Sequence, residues 1–298
     1  MVERLVKKTF KDLICPMPLI QKNLPYPHWQ YVFEETGDFL KIVPDRGGLI
    51  TGWNHQGREI LYFDLDRFQQ GAKSIRGGIP VLFPICGDLP QGHLRLAQGE
   101  FSLRQHGFAR DMPWLIKPLE DQEGFVLTLT ETAESLSVYP FMFLIEMEVR
   151  LTKTSLNIKT IIHNLGDQSM PFSFGLHPYF NVKSLENCLI KGLPDKCINH
   201  MNLSEASTEE QLQKLSKGVD FIAEVQGPIS LEDCIEGTRI ELHHESPMDL
   251  AVIWTDPPRH MICLEPWTSP RQSLITGNRM LLLEPQSSQE LLCRFVSN

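Results

Sequence analysis

Four stretches of this chain place ionisable side chains on backbone stiff enough to aim them. The first is Ser173-Phe174-Gly175-Leu176-His177-Pro178-Tyr179-Phe180. Phe172, Phe174 and Leu176 alternate with Ser173, Gly175 and His177, so at strand period His177 falls on the face opposite the buried one. Pro178 fixes its own φ and biases the preceding residue toward an extended shape, which puts His177 where a strand gives way to a turn. An imidazole held on such a wall can give or take a proton near neutral pH. A rim histidine satisfied by a backbone carbonyl fits the same eight residues. The second stretch is Met261-Ile262-Cys263-Leu264-Glu265-Pro266-Trp267, where a carboxylate ends an apolar strand. Partial burial would raise its pKa toward the range useful for a general base. The plainer alternative makes Glu265 the first solvated residue after the strand. Trp267 offers either a flat surface to a ring or a cover for the core, and Cys263 reads as core packing.

The other two stretches carry guanidinium groups. In Lys73-Ser74-Ile75-Arg76-Gly77-Gly78-Ile79-Pro80, the paired glycines let the chain bend sharply beside Arg76 and the proline stiffens the residues after it. An arginine so placed can present its fork to an anion or to sugar hydroxyls; the G-x-x-x-x-G-K-[ST] spacing of a phosphate loop is absent. In Arg104-Gln105-His106-Gly107-Phe108-Ala109-Arg110-Asp111, His106 and Arg110 flank a glycine turn and Asp111 can hold Arg110 by an ion pair. Surface arginines on tight turns explain both patterns equally well, since an exposed ion pair contributes under about 1 kcal/mol.

The elements that must position these residues are strands. Candidates run through Tyr31–Glu35, Asp38–Pro44, Leu49–Trp53, Glu59–Phe63, Gly124–Thr130, Phe143–Thr152 and Ser155–Asn164. They resume at Thr238–His243, Leu250–Thr255, His260–Leu264, Met280–Leu283 and Gln289–Val296. One helix is expected, Ser204–Leu215, with Ser207 and Glu210 as its capping box. Residues 1–30, with four prolines between Cys15 and Trp29, read as an irregular arm on the surface. Short strands, 20 glycines, 21 prolines and so little helix indicate an all-β protein, a large antiparallel β-sandwich in a single domain over residues 1–298.

Composition excludes several classes. A net charge of −9 argues against a nucleic-acid partner. No apolar run reaches bilayer length, and Met1–Gln21 lacks a signal-peptide pattern. Seven scattered cysteines without a C-x-x-C pair form neither a zinc ribbon nor a disulfide framework, which points to a reducing, cytoplasmic setting. The histidines show no metal-ligand spacing, so neither a metal nor another cofactor is expected.

Taken together, Ile75-Arg76-Gly77-Gly78-Ile79-Pro80 with Phe83-Pro84, Gln105–Arg110 with Trp114, His177-Pro178-Tyr179-Phe180 and Ile262–Pro266 resemble the aldose 1-epimerase (galactose mutarotase) superfamily. The likeness is greatest to its hexose-6-phosphate 1-epimerase branch. The resemblance implies a sugar or sugar-phosphate substrate, His177 as general acid and Glu265 as general base. It further implies that Arg76 and Arg110 line the site and bind a sugar phosphate, that His106 touches the sugar, and that an aspartate holds sugar hydroxyls. Asp220 is the match for that aspartate and Asp233 its competitor, because Phe221 and Ala223 break the branch's V-D-R-[IV]-Y pattern. Trp267 and the insert Cys86–Glu100 are further departures, which leave the preferred sugar open. Interconverting anomers needs one acid and one base on opposite sides of the ring, each reversing its role when the ring recloses. A carbohydrate-binding protein without catalysis is the alternative; a glycosidase would need two carboxylates about the scissile bond.

Overall fold

The structure, a computed structural model, describes residues 19–71 and 74–298. Alternation of apolar and polar residues builds its two large sheets. Along Phe143–Leu151, five alternate residues from Phe143 to Leu151 are buried, while Leu144, Glu146, Glu148 and Arg150 stay half-buried. A strand with one covered face has this pattern. It pairs antiparallel with Phe125–Thr130 and with Ser155–Asn164, in a register running from Phe143 opposite Asn164 to Leu151 opposite Leu156. Leu115–Pro118, Ser288–Ser297, Thr238–His244, Ile229–Asp233 and Cys188–Lys191 complete an eight-stranded sheet.

The second eight-stranded sheet carries the site. Its order is Ser204–Ser207, Lys196–Asn199, Asp220–Glu224, Leu250–Trp254, Met261–Trp267, Gly175–Leu176 and Val81–Leu82, with Tyr179–Asn181 also pairing to Met261–Trp267. Ile262, Leu264, Ile253, Phe221 and Phe180 belong to the same apolar cluster as Phe143, Ile158 and Phe295 of the first sheet. The rings of Phe180 and Phe295 meet at 5.6 Å. Each such side chain contributes about 1.5–3 kcal/mol when fully buried, so the sheet is held firmly from below. Met261, Cys263, Glu265 and Trp267 occupy the alternate positions and lie on the opposite face, yet all seven residues of the strand are buried. Both faces of the central strands are therefore covered, one by core and one by the walls of a cleft.

Several expectations need correction. Residues 19–30 are not an irregular arm: Leu19–Lys22 and His28–Val32 pair with each other, and with Phe39–Val43, Leu49–His55 and Arg58–Glu59 form a five-stranded sheet. The rest of that arm lies outside the described residues. The helix is shorter than expected, Thr208–Leu212, because Ser204–Ser207 is captured as an edge strand by Lys196–Asn199. Half of its capping box is found: Ser207 accepts from the Glu210 N–H at 3.4 Å, without the reciprocal bond from the Ser207 N–H to the Glu210 side chain. Short helices at Leu65–Gln69, Ala133–Val138 and Ser273–Thr276 were not foreseen, each being too brief to show a helical period. Among the described residues no helix is long and apolar enough to cross a membrane.

Candidate active site

The strand register decides the heart of the site. Gly175 pairs with Trp267 and Tyr179 with Cys263, so the residues midway, His177 and Glu265, face each other across neighbouring strands. His177 Nε2 lies 3.4 Å from Glu265 Oε1. On its other flank the His177 N–H donates to the Pro80 carbonyl at 2.9 Å, and the ring stacks on Tyr179 at 4.7 Å and 11°. Glu265 is 1% exposed and accepts a hydrogen bond from the Trp267 indole N–H at 3.1 Å. It is neither solvated nor terminal: the strand continues through Pro266, paired with Ala251, to Trp267. The acid–base candidates thus stand side by side on one wall, rather than on opposite sides of a gap.

Arg76, His106, Arg110, His177, Asp220 and Glu265 all line one cleft of about 160 Å³. A larger hollow of about 450 Å³ lies over the outer face of the first sheet and holds none of the six. Arg76 packs over the Trp254 ring at 5.5 Å, with its Nε 3.5 Å from Asp256. Arg110 is anchored by a bond from Nη2 to the Gln105 carbonyl at 2.7 Å; its expected partner Asp111 is only a distant ion pair at 4.0 Å. His106 sits in the left-handed region at φ 66°, followed by Gly107 at φ 69°. A Cβ on Gly107 would overlap the Phe83 carbonyl, which is why the loop needs glycine there.

Asp220 opens the strand Asp220–Glu224 at the rim of the cleft. Asp233 sits elsewhere: its carboxylate accepts from the N–H groups of Lys183, Ile235 and Glu236, closing a turn at the edge of the first sheet. Two residues at Asp220 escaped notice in the sequence. His200 Nδ1 lies 2.7 Å from its Oδ1, and Arg271 Nη2 donates to its Oδ2 at 2.7 Å. Arg271, six residues past Glu265, offered a faint signal as a cation just beyond a candidate base; His200 offered none.

Burial controls the charges. Desolvation pushes Glu265 well above the usual carboxylate range, with the Asp220 charge adding to the effect. Desolvation, then the Arg110 charge, pushes His177 down to about 3. Both directions favour the neutral form of each group, so within the pair a shared proton is favoured on Glu265 over His177. The Cys263 thiol comes within 4.8 Å of both, and burial pushes it far up, keeping it protonated. Burial would also raise Asp220, but the His200 hydrogen bond and the His200 and Arg271 charges outweigh it and hold Asp220 below its ordinary value.

Proteins of known structure share this arrangement of sheets. The Slr1438 protein of Synechocystis sp. PCC 6803 superposes with a TM-score of 0.87 at 35% identity, covering 91% of this chain and 95% of that one. A galactose mutarotase-like protein from Clostridium acetobutylicum gives 0.78 at 19% identity, covering 94% and 98%, a likeness of fold. The fold is therefore the galactose mutarotase-like β-sandwich. The family model described as aldose 1-epimerase matches residues 30–287, and the chain belongs to that family. A relative from Escherichia coli K12 named "Putative glucose-6-phosphate 1-epimerase" is 31% identical over 161 residues, 53% of this chain and 50% of the relative. The match thus spans about half the length of that relative. One of the same name from Haemophilus influenzae is 24% identical over 290 residues, covering 95% and 93%.

Proposed function

We propose that this protein is an aldose 1-epimerase acting on a hexose 6-phosphate, interconverting its α and β anomers by opening and reclosing the ring. The observation that carries the reading is the 3.4 Å approach of His177 to a buried Glu265 inside a cleft of sugar size. The ring oxygen and the C1 hydroxyl are bonded to the same carbon, so groups standing side by side reach both. Glu265 takes the proton of the C1 hydroxyl while His177 delivers one to the ring oxygen; the C1–O5 bond breaks and a C1 aldehyde forms. Rotation about C1–C2 presents the other face, and the two transfers run backward. Each group ends a full cycle in the state in which it began.

For His177 to act as acid, the proton that burial favours on Glu265 must pass to it. That transfer leaves the proton count of the pair unchanged. Asp220 favours the imidazolium, which Arg110 and Arg76 oppose. His106 and Asp220 are the proposed contacts to sugar hydroxyls. Arg76 and Arg110 are the proposed phosphate contacts, because both line the cleft and their nearest carboxylates, Asp256 at 3.5 Å and Asp111 at 4.0 Å, leave their guanidinium groups less neutralised than that of Arg271. The names of the relatives agree with a phosphorylated substrate.

The test monitors anomer equilibration of glucose and of glucose 6-phosphate by polarimetry or exchange NMR. The expected result is acceleration above the buffer rate, greater for the phosphate ester. Rates equal to buffer for every free and phosphorylated hexose, with sugar still bound, would leave a carbohydrate-binding protein in its place.

A further inference from the structure

The segment Cys86–Glu100 adjoins the cleft through Gly87 and Asp88, which hydrogen-bond the lining residues His106 and Arg271. Cys86 ties it to the site sheet by donating its N–H to Ser173 Oγ at 2.8 Å. Gly87 then faces His106: its N–H donates to Nδ1 at 3.1 Å and its carbonyl accepts the His106 N–H at 2.6 Å. A ring nitrogen that accepts cannot carry the proton, so the neutral imidazole bears it on Nε2, which becomes the ring's donor. Asp88 reaches the other way, accepting from Arg271 Nη1 at 3.3 Å, while Nη2 of the same guanidinium bonds Asp220 at 2.7 Å. The Arg271 stem lies against Gly87, where φ is +75° and a Cβ would overlap its Cγ. One turn therefore braces two residues that line the cleft from different sides.

Charge separates Arg271 from the other cleft arginines. Carboxylates stand 2.7 and 3.3 Å from its guanidinium, whereas Arg76 and Arg110 have theirs at 3.5 and 4.0 Å. Neutralised on both flanks, Arg271 is poorly suited to hold a phosphate and well suited to hold Asp220. With Oδ1 near His200 and Oδ2 on Arg271, Asp220 keeps one orientation and one free lone-pair direction on each oxygen. Binding a sugar then requires no further ordering of that side chain.

We infer that Arg271 is a positioning residue for sugar recognition and that the Gly87–Asp88 turn is its clamp, setting Asp220 through Arg271 and His106 through its tautomer. The inference rests on reading Asp220 and His106 as sugar contacts.

The experiment is a double-mutant cycle of Arg271→Gln and Asp220→Asn, read in kcat and KM for anomerisation of glucose 6-phosphate and of glucose. Each single variant loses on the order of tenfold in kcat/KM, chiefly through KM, as expected for a lost bond to a charged group. The double variant is no worse than Asp220→Asn alone within about threefold, because Arg271 acts only through Asp220. Arg271→Lys recovers part of the loss. Penalties that multiply would overturn the inference, by showing that Arg271 acts on the substrate independently. Asp88→Asn, on a half-exposed side chain, raises KM without disturbing the fold, and an unchanged KM would remove the clamp. Ring 15N shifts of His106 report the Nε2–H tautomer in the wild type, and the other tautomer would remove the Gly87 half of the argument. If the wild type accelerates no anomerisation, the epimerase reading fails separately, and the same cycle is read in sugar affinity.

Discussion

The imidazole of His177, in the break between Gly175–Leu176 and Tyr179–Asn181, stands 3.4 Å from the carboxyl of Glu265 on the strand both pair with, in a register set by Gly175 opposite Trp267 and Tyr179 opposite Cys263. Because a one-residue slip would turn either side chain to the other face, the core beneath the sheet and the chemistry above it depend on the same alignment. Trp267, on the cleft face with Glu265, packs against Leu82, Ile222 and Val252 and donates its indole N–H to the Glu265 carboxyl.

Removing either member of the pair removes the proton transfer. His177→Ala and Glu265→Gln are each expected to lower kcat by about 10²–10⁴-fold, with circular dichroism unchanged. Anomerisation kinetics check this; a loss below tenfold in both would move the acid–base roles to other residues.

The pair works while it holds one proton. Below about 3 His177 takes a second, and above the raised pKa of Glu265 the last is lost. The kcat/KM profile is therefore expected to show no acid limb in the ordinary histidine range near about 6.5, and its alkaline limb is expected above the ordinary carboxylate range near about 4.3. An acid limb centred on the ordinary histidine value would contradict the burial argument.

Glu265 is expected to cost stability. Its folded pKa lies above its unfolded one, so between the two the folded state binds more protons and stability falls as pH rises. Glu265→Gln, which cannot ionise, should raise Tm at pH 7 to 8 and have little effect near pH 4. Thermal melts across that range read it out, and a Tm lowered at every pH would show that the carboxyl is needed structurally.

Substrate charge is expected to be read by the two less neutralised arginines. Arg110→Gln and Arg76→Gln should each raise KM for glucose 6-phosphate on the order of tenfold while changing KM for glucose by less than about threefold. Equal effects on both sugars would assign the guanidinium groups to the ring hydroxyls instead.

The linear pattern of residues was enough to indicate an all-β sandwich, most of its strands and five of the six candidate residues that line the cleft, with Asp220 still matched by Asp233. Alternation along Phe143–Leu151 and Ser155–Asn164 is a local consequence of burying one face. The proline and glycine punctuation around Arg76, His106 and His177 is likewise visible without a fold. What depends on distant chain segments meeting was not legible. The edge strand Ser204–Ser207 looks helical until Lys196–Asn199 captures it. Asp220 and Asp233 looked alike until one closed a turn and the other reached the cleft. Arg271 and His200 gain significance only where they converge on Asp220. The burial that gives Glu265 and His177 their shifted affinities for protons comes from walls supplied by both neighbouring strands and loops. Local periodicity arises from one segment's own surface, whereas desolvation and charge pairing belong to the space between segments, which only the folded chain defines.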